Sequence, residues 1–145
     1  RQHPDKANIN VQDKRGFSIM HSAVMIADIP DAILLDLIQF EQTDCGIKNQ
    51  DHTTPLHYFC EKTLALNCQL IGRELIKKGG SVNAQSKKNG ETPLHKAIFN
   101  NKVRLMLVEM LLGKGASPNA TTSESGDTPL HYAIQYVIPL DYLPY

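Results

Sequence analysis

The sequence predicts an all-helical solenoid, in which helix-turn-helix units of similar length stack side by side. Two observations predict this fold class. A four-residue motif occurs four times along the 145-residue chain, and an amphipathic stretch follows each of the first three copies. A period of roughly 20–50 residues is typical of solenoids, because each unit buries its apolar face only against its neighbours.

The recurring motif is Thr-Pro-Leu-His, found at residues 54–57, 92–95 and 128–131, with a weaker Ser-Ile-Met-His copy at 18–21. The four histidines lie 36, 38 and 36 residues apart. A Thr or Ser side chain can accept a backbone N–H bond at the start of a helix, and proline is suited to the first helical position. We therefore expect a helix to begin at each copy.

A second helix follows in each of the first three units, at residues 33–38, 70–76 and 103–112, where apolar residues recur at intervals of three and four. The surplus length of the units is expected between the two helices, at 27–31 and 62–67. One extra residue is expected in each of the last two hairpins, because Thr92 and Thr128 stand nine positions after Asn83 and Asn119. In the first hairpin, Ser18 stands eight positions after Asn10.

The segments before the motif predict tight hairpin turns. Gly16, Gly90 and Gly126 stand where a turn needs a positive φ, which glycine adopts without strain. His52 occupies this position in the second hairpin, which leaves its geometry open. Two matching Gly-x-x-x-Asn-Ala segments, at 79–84 and 115–120, run in phase with the motif.

Together, these motifs resemble the ankyrin repeat, and the resemblance covers nearly the whole chain. It implies helix-turn-helix units joined by β-hairpin-like loops, with histidines that hydrogen-bond within and between repeats. The chain then divides into the end of a partial repeat at 1–17, repeats at 18–53, 54–91 and 92–127, and a partial C-terminal repeat or cap at 128–145.

The resemblance also implies that a partner protein or peptide binds a concave groove formed by hairpin tips and first helices. The expected contact residues at the tips are Lys14, Arg15, Phe17, Asp51, Lys88, Glu91 and Asp127. Those on the first helices are Met25, Tyr58, Glu61, Lys96, Phe99, Tyr132 and Tyr136. The four aromatic residues of the second set are candidate hot spots, with Tyr58 and Tyr132 as the anchors. Packing against a neighbouring repeat or the chain end is the alternative role for each of the four.

Composition argues against several other functions. Fifteen basic residues balance fifteen acidic ones, so the chain lacks the basic excess that nucleic-acid binding usually requires. No phosphate-binding, metalloprotease or nucleophile-elbow motif occurs, and we expect no catalysis, cofactor, small-molecule substrate or membrane insertion. The motif histidines should lie about 10 Å apart in stacked helices, too far to share a metal ion. Three cysteines without a Cys-x-x-Cys pair favour packed, free thiols and a cytoplasmic or nuclear location.

Two functions remain open at this point. The chain is expected to be a scaffold or adaptor that binds another protein, or a regulatory or spacer segment covered by another domain of a larger enzyme or channel. The apolar, proline-interrupted stretch at 139–145 favours the second, as a cap or a docking segment.

Overall fold

The computed structural model describes residues 7–26 and 28–137. The expectations for the N-terminal tail at 1–6, for Ala27 and for the C-terminal stretch at 138–145 lie outside the described residues. Within them, the chain forms helices and contains no β-strand, which confirms the all-α prediction. The helices are α1 (Ile19–Val24), α2 (Asp31–Gln39), α3 (Pro55–Lys62), α4 (Cys68–Lys77), α5 (Pro93–Ile98), α6 (Arg104–Gly113) and α7 (Pro129–Tyr136).

The helices form two layers. The first helices of the repeats, α1, α3, α5 and α7, pack side by side in one layer, and the second helices, α2, α4 and α6, pack in the other. Each of the first three repeats also packs its own two helices together. The paired helices are connected at 25–30, 63–67 and 99–103. Of the insertions predicted at 27–31 and 62–67, Asp31 and Lys62 belong to helices instead of the connections.

The recurring motif starts every first helix with the same hydrogen bonds. At α5, the Thr92 side chain accepts from the backbone N–H of His95 at 3.4 Å, and His95 Nδ1 accepts from the Thr92 N–H at 3.2 Å. Pro93 occupies the first turn, where its missing N–H costs no hydrogen bond. Equivalent capping boxes begin α1, α3 and α7. The predicted helix starts are therefore confirmed.

The histidines also connect successive repeats. The Nε2–H groups of His21, His57 and His95 donate to the backbone carbonyls of Thr53, Glu91 and Asp127, at 2.9–3.0 Å. Because Nδ1 accepts and Nε2 donates, each ring is held as the neutral Nε2–H tautomer. All three imidazoles are fully buried, and burial is the main cause that lowers their pKa values, to about 4 for His57.

The core lies between the two layers. The second helices each supply a fully buried pair of aliphatic side chains one turn apart: Leu34 with Ile38, Ile71 with Leu75 and Leu107 with Leu111. The first helices supply Met20, Leu56, Phe59 and Leu94 opposite them. One continuous core, from Met20 to Ala116, therefore runs through the first three helix pairs.

The hairpin loops confirm the predicted turns and their lengths. The first two close with a bond between residues four apart, Asp13 N–H to Phe17 O and Asn49 N–H to Thr53 O. The third and fourth close over residues five apart, so the extra residue lies in the turn itself. His52 adopts φ +56°, in the same region as the glycines at the equivalent positions. The second hairpin therefore keeps its turn, although a non-glycine residue in this region is uncommon.

Candidate partner-binding groove

The groove is defined here as the surface between the four hairpin tips, residues 13–17, 49–53, 86–91 and 122–127, and the first helices. Backbone hydrogen bonds join each tip to the next: Gln50 N–H donates to Arg15 O, Lys87 N–H to Asp51 O and Ser123 N–H to Asn89 O, all at 2.7–3.1 Å. The tips therefore form one continuous rim along the groove rather than four independent loops.

Two aromatic side chains, one from the first hairpin and one from α3, meet in the N-terminal part of the groove. The Phe17 and Tyr58 ring centroids are 5.7 Å apart, and both rings contact the buried imidazole of His21. The Arg15 guanidinium lies 5.1 Å from the Phe17 ring centroid, within the range of a cation–π interaction. Phe17 and Tyr58 are each half-buried, so this Phe17–Tyr58 pair offers part of its ring surface to a partner.

The Tyr58 hydroxyl is positioned by the second hairpin. Asn49 Nδ2 donates to the Tyr58 Oη at 3.0 Å, while Asn49 Oδ1 accepts from the backbone N–H groups of Asp51 and Thr53. One asparagine thus shapes the turn and fixes the ring at the same time. Because the Tyr58 oxygen accepts this bond, its hydroxyl hydrogen remains available to donate to a bound group.

Three aromatic side chains cluster in the C-terminal part of the groove. The Tyr132 ring contacts Phe99 at 5.5 Å, Tyr136 at 5.4 Å and the imidazole of His95 at 4.8 Å between centroids. Phe99 and Tyr136 also contact each other, at 5.1 Å. Tyr136 is 60% exposed, whereas Tyr132 is only 8% exposed because the other rings cover it.

A buried polar network lies beside this cluster. Lys96 Nζ is 2.6 Å from Glu91 Oε2, and the Tyr132 hydroxyl donates to Glu91 Oε1 at 2.7 Å. Burial acts to raise the pKa of Glu91, but the hydrogen bonds from Lys96 and Tyr132 outweigh it, and the net shift is downward. Burial raises the pKa of Tyr132, and its bond to Glu91 adds to that shift. The network therefore consists of a carboxylate, an ammonium and a neutral phenol.

The structure differs from the sequence analysis at Glu91 and Tyr132, which were expected on the open groove. Both residues are buried, and the Tyr132 hydroxyl of α7 donates to the Glu91 carboxylate of the third hairpin. Lys14, Arg15, Met25, Asp51, Lys88 and Tyr136 are exposed as expected, and the half-buried members of the set are Phe17, Tyr58, Glu61, Lys96, Phe99 and Asp127. Glu91 and Tyr132 thus support the groove floor, while the other twelve residues remain candidate contacts.

Two neighbouring cavities open into the N-terminal part of the groove. The first, of about 280 Å³, is lined by Asp13, Arg15, Phe17, Ser22 and Met25. The second, of about 220 Å³, is lined by Asp51, Thr53, Tyr58, Ser86, Lys88, Asn89, Glu91 and Lys96. Phe17 faces the first cavity and Tyr58 the second, and their rings are in contact. The Phe17–Tyr58 pair therefore contributes one ring to each cavity.

Sequence reasoning missed one set of residues that shapes the tips. Asp13, Asn49, Ser86 and Thr122 occupy the same position in the four hairpins, and each side chain accepts backbone N–H bonds that close its own turn. The signal was present in the sequence: once the repeats are aligned on the motif, this position always holds a short side chain with an oxygen acceptor.

The remaining reactive side chains have structural roles. Cys45, Cys60 and Cys68 are free and buried, and burial raises all three thiol pKa values, that of Cys45 to about 12. Neutral, buried thiols are poor nucleophiles. The described part of the chain holds no cluster of three or more His, Cys, Asp or Glu side chains arranged for a metal ion.

Comparison with known families identifies the fold. The family model for ankyrin repeats (3 copies) matches residues 20–122 and 74–141, most of the chain. The protein belongs to the ankyrin-repeat family, whose members are protein-interaction modules. No helix among the described residues is long and apolar enough to span a membrane.

Several relatives are protein kinases of Dictyostelium discoideum. The chain is 50% identical over 108 residues to a probable serine/threonine-protein kinase, 55% over 82 residues to stress-activated protein kinase alpha, and 42% over 104 residues to ankyrin repeat-containing protein kinase A. These matches cover 74%, 57% and 72% of this chain, but only 12%, 13% and 7% of the three kinases. The similarity is therefore confined to a small part of each kinase.

Proposed function

We propose that this chain binds a partner protein or peptide through the groove between the hairpin tips and the first helices. The supporting observation is the set of open aromatic and methionine surfaces along that groove, formed by Met25, the Phe17–Tyr58 pair, Phe99 and Tyr136. Aromatic side chains bury large areas at little cost in rotamer entropy, which is why they dominate binding hot spots. The tips add basic side chains in the first and third hairpins and acidic ones in the second and fourth.

The proposed role is non-catalytic and intracellular. The chain has the buried, unreactive thiols of a reducing compartment, and its likeness to kinases is limited to 7–13% of their length. A protein or peptide is favoured over nucleic acid, because acidic and basic side chains alternate along the rim and the net charge is zero.

Affinity capture from lysate with matched surface variants tests this proposal. The groove variant carries Met25→Gln and Tyr136→Gln, at side chains that are 42% and 60% exposed. The control carries Leu66→Gln and Leu105→Gln, which are 73% and 79% exposed and lie away from the hairpin tips. We expect the groove variant to weaken binding of the captured protein at least tenfold, about 1.4 kcal/mol, and the control to leave it unchanged. A partner lost from the control variant but kept by the groove variant would refute the proposal.

A second candidate function is an intramolecular one, in which the groove binds a segment of the polypeptide that carries these repeats. The similarity to short parts of three much longer kinases favours it. Hydrogen exchange measured on the isolated chain and on the longest natural polypeptide containing it separates the two. Protection of the tips and first helices that appears only in the longer polypeptide supports the intramolecular function, and equal exchange in both contradicts it.

A further inference from the structure

We propose that the N-terminal part of the groove recognises a linear protein segment with two determinants, an apolar side chain in the first cavity and a carboxylate in the second. The inference rests on the proposed function and specifies the chemistry of the partner. It is carried by two cavities with different linings, one lined by Phe17 and the other by Tyr58, whose rings are in contact.

The first cavity suits an apolar side chain. Met25 and the Phe17 ring form its apolar surface, and a methionine adapts its shape to aliphatic and aromatic groups alike. Asp13 lines the cavity as well, but its Oδ1 accepts from the backbone N–H groups of Arg15 and Phe17 at 2.9 Å and belongs to the turn. Leucine, methionine and phenylalanine are therefore the side chains expected here.

The second cavity has more hydrogen-bond donors than acceptors. The Tyr58 hydroxyl accepts from Asn49 and keeps its own hydrogen for a ligand, and Lys96 uses one of its three donors on Glu91. Lys88 adds an exposed ammonium group. The two carboxylate oxygens of Glu91 are already engaged, one with Lys96 and one with Tyr132, which leaves Asp51 as the acidic side chain open to a ligand. A carboxylate satisfies this excess of donors with charge-assisted bonds.

The spacing of the cavities sets the spacing of the two determinants. The first cavity lies at the first hairpin and the end of α1, and the second spans the second and third hairpins with α3 and α5. With about 10 Å between packed helices, the two centres are roughly 10–15 Å apart. An extended chain advances about 3.3 Å per residue, so the apolar and acidic residues should be separated by about three to five positions.

The C-terminal part of the groove is a poorer site for such a segment. There the Tyr132 hydroxyl is engaged with Glu91, and the Tyr132 ring is covered by Phe99 and Tyr136. The fourth tip carries Glu124 and Asp127, which would repel a carboxylate. Recognition of an acidic residue is thus expected in the second cavity.

Peptide selection on the chain tests the inference. A displayed library of random 12-residue peptides is selected on the wild-type chain. Each enriched peptide is then synthesised in two forms, an acid form with its Asp or Glu and an amide form with Asn or Gln in its place. We expect enriched sequences to pair a Leu, Met or Phe with an Asp or Glu about three to five positions away. Binding is then measured by fluorescence anisotropy with wild type and with Lys88→Gln, Tyr58→Phe and Met25→Gln. Lys114→Gln, an exposed lysine on the opposite layer, is the matched control.

The expected result is a double-mutant cycle in which each variant affects only the peptide residue that it contacts. Lys88→Gln and Tyr58→Phe should weaken binding of the acidic peptides about fivefold, because the lost donors pair with the carboxylate. The amide forms should bind these two variants as they bind the wild type. Met25→Gln should weaken both forms equally, and Lys114→Gln neither. The inference is overturned if the enriched peptides lack an acidic residue, or if no peptide is selected. It is also overturned if Lys88→Gln and Tyr58→Phe weaken the acid and amide forms equally.

Failure of the inference and failure of the groove proposal give different outcomes. If peptide affinity is lowered by Tyr136→Gln but not by Met25→Gln or Lys88→Gln, the two-cavity inference is wrong, and the groove is still a binding surface. Peptides that ignore every groove variant and respond to Lys114→Gln or Leu105→Gln contradict both.

Discussion

Removing the Tyr132 hydroxyl should destabilise the protein, although Tyr132→Phe keeps the entire ring. The hydroxyl donates to Glu91 Oε1 at 2.7 Å, in a site where Tyr132 is 8% and Glu91 6% exposed. A hydrogen bond to a charged group contributes about 1.5–3 kcal/mol, and its loss here leaves a buried carboxylate oxygen without a donor. We therefore expect Tyr132→Phe to lower the free energy of unfolding by about 2 kcal/mol, measured by urea denaturation followed by circular dichroism.

Tyr58→Phe is the matched control for this prediction. It is the same chemical change in the equivalent position of another repeat, but the Tyr58 hydroxyl only accepts a bond from Asn49 at a half-buried site that water can reach. Its expected cost is below about 1 kcal/mol. A Tyr132→Phe effect no larger than that of Tyr58→Phe would refute the reasoning, as would full additivity of Tyr132→Phe with Glu91→Gln, since directly bonded groups should couple.

Three further predictions concern the scaffold. Acidification should reduce stability, because burial lowers the pKa of His57 from 6.5 to about 4. Between these two pH values the unfolded chain takes up a proton that the buried ring does not. About 3 kcal/mol of the free energy of unfolding is therefore lost as the pH falls from 6.5 toward 4. Urea denaturation at pH 7.5 and 4.5 measures the loss, and His57→Gln should make the pH profile flatter. Gly46→Ala should cost about 1–3 kcal/mol in thermal melts, because the added Cβ would lie 2.6 Å from the Gly79 carbonyl oxygen. Gly113 has open space around it, so Gly113→Ala should be neutral or slightly stabilising in the same melts. Asn100→Ala should cost about 2–4 kcal/mol in thermal melts, because the buried amide donates to two carbonyls of the preceding repeat and accepts from two N–H groups of its own loop. The neighbouring Asn101 is exposed, and Asn101→Ala should cost under about 0.5 kcal/mol in the same melts.

The sequence predicted the elements whose cause is local. Capping by Thr54 and Thr92, prolines in the first turn and glycines in the hairpins act over four or five residues, so the motif shows them directly. The second helices were also predicted, but each begins or ends one or two residues away from the expected position. Helix ends depend on competing turn and packing interactions that a periodic pattern does not resolve.

Contacts between repeats could not be predicted residue by residue. Asn10 and Asn83, equivalent positions in their repeats, each bond a backbone N–H of the next loop, through Asp44 and Ser117. At this position the second repeat has Gly46, and the connection there is a direct backbone bond from Cys45 N–H to Lys78 O. The spacing of motifs shows that repeats stack, but the distance between two loops depends on which side chains separate them.

The sequence by itself determined the family, the number of helical units and the order of their parts, because a repeated motif with its own capping and turn chemistry specifies the same unit each time. Only the tertiary structure decided which groove side chains remain available to a partner. Tyr58 and Tyr132 both follow the histidine of the motif, and the motif does not distinguish them. Yet Tyr58 is half-buried and lines the second cavity, whereas Tyr132 is buried against Glu91. The difference comes from residues 9 and 41 positions away in the chain, Asn49 and Glu91, which only the folded stack brings into contact with the two rings.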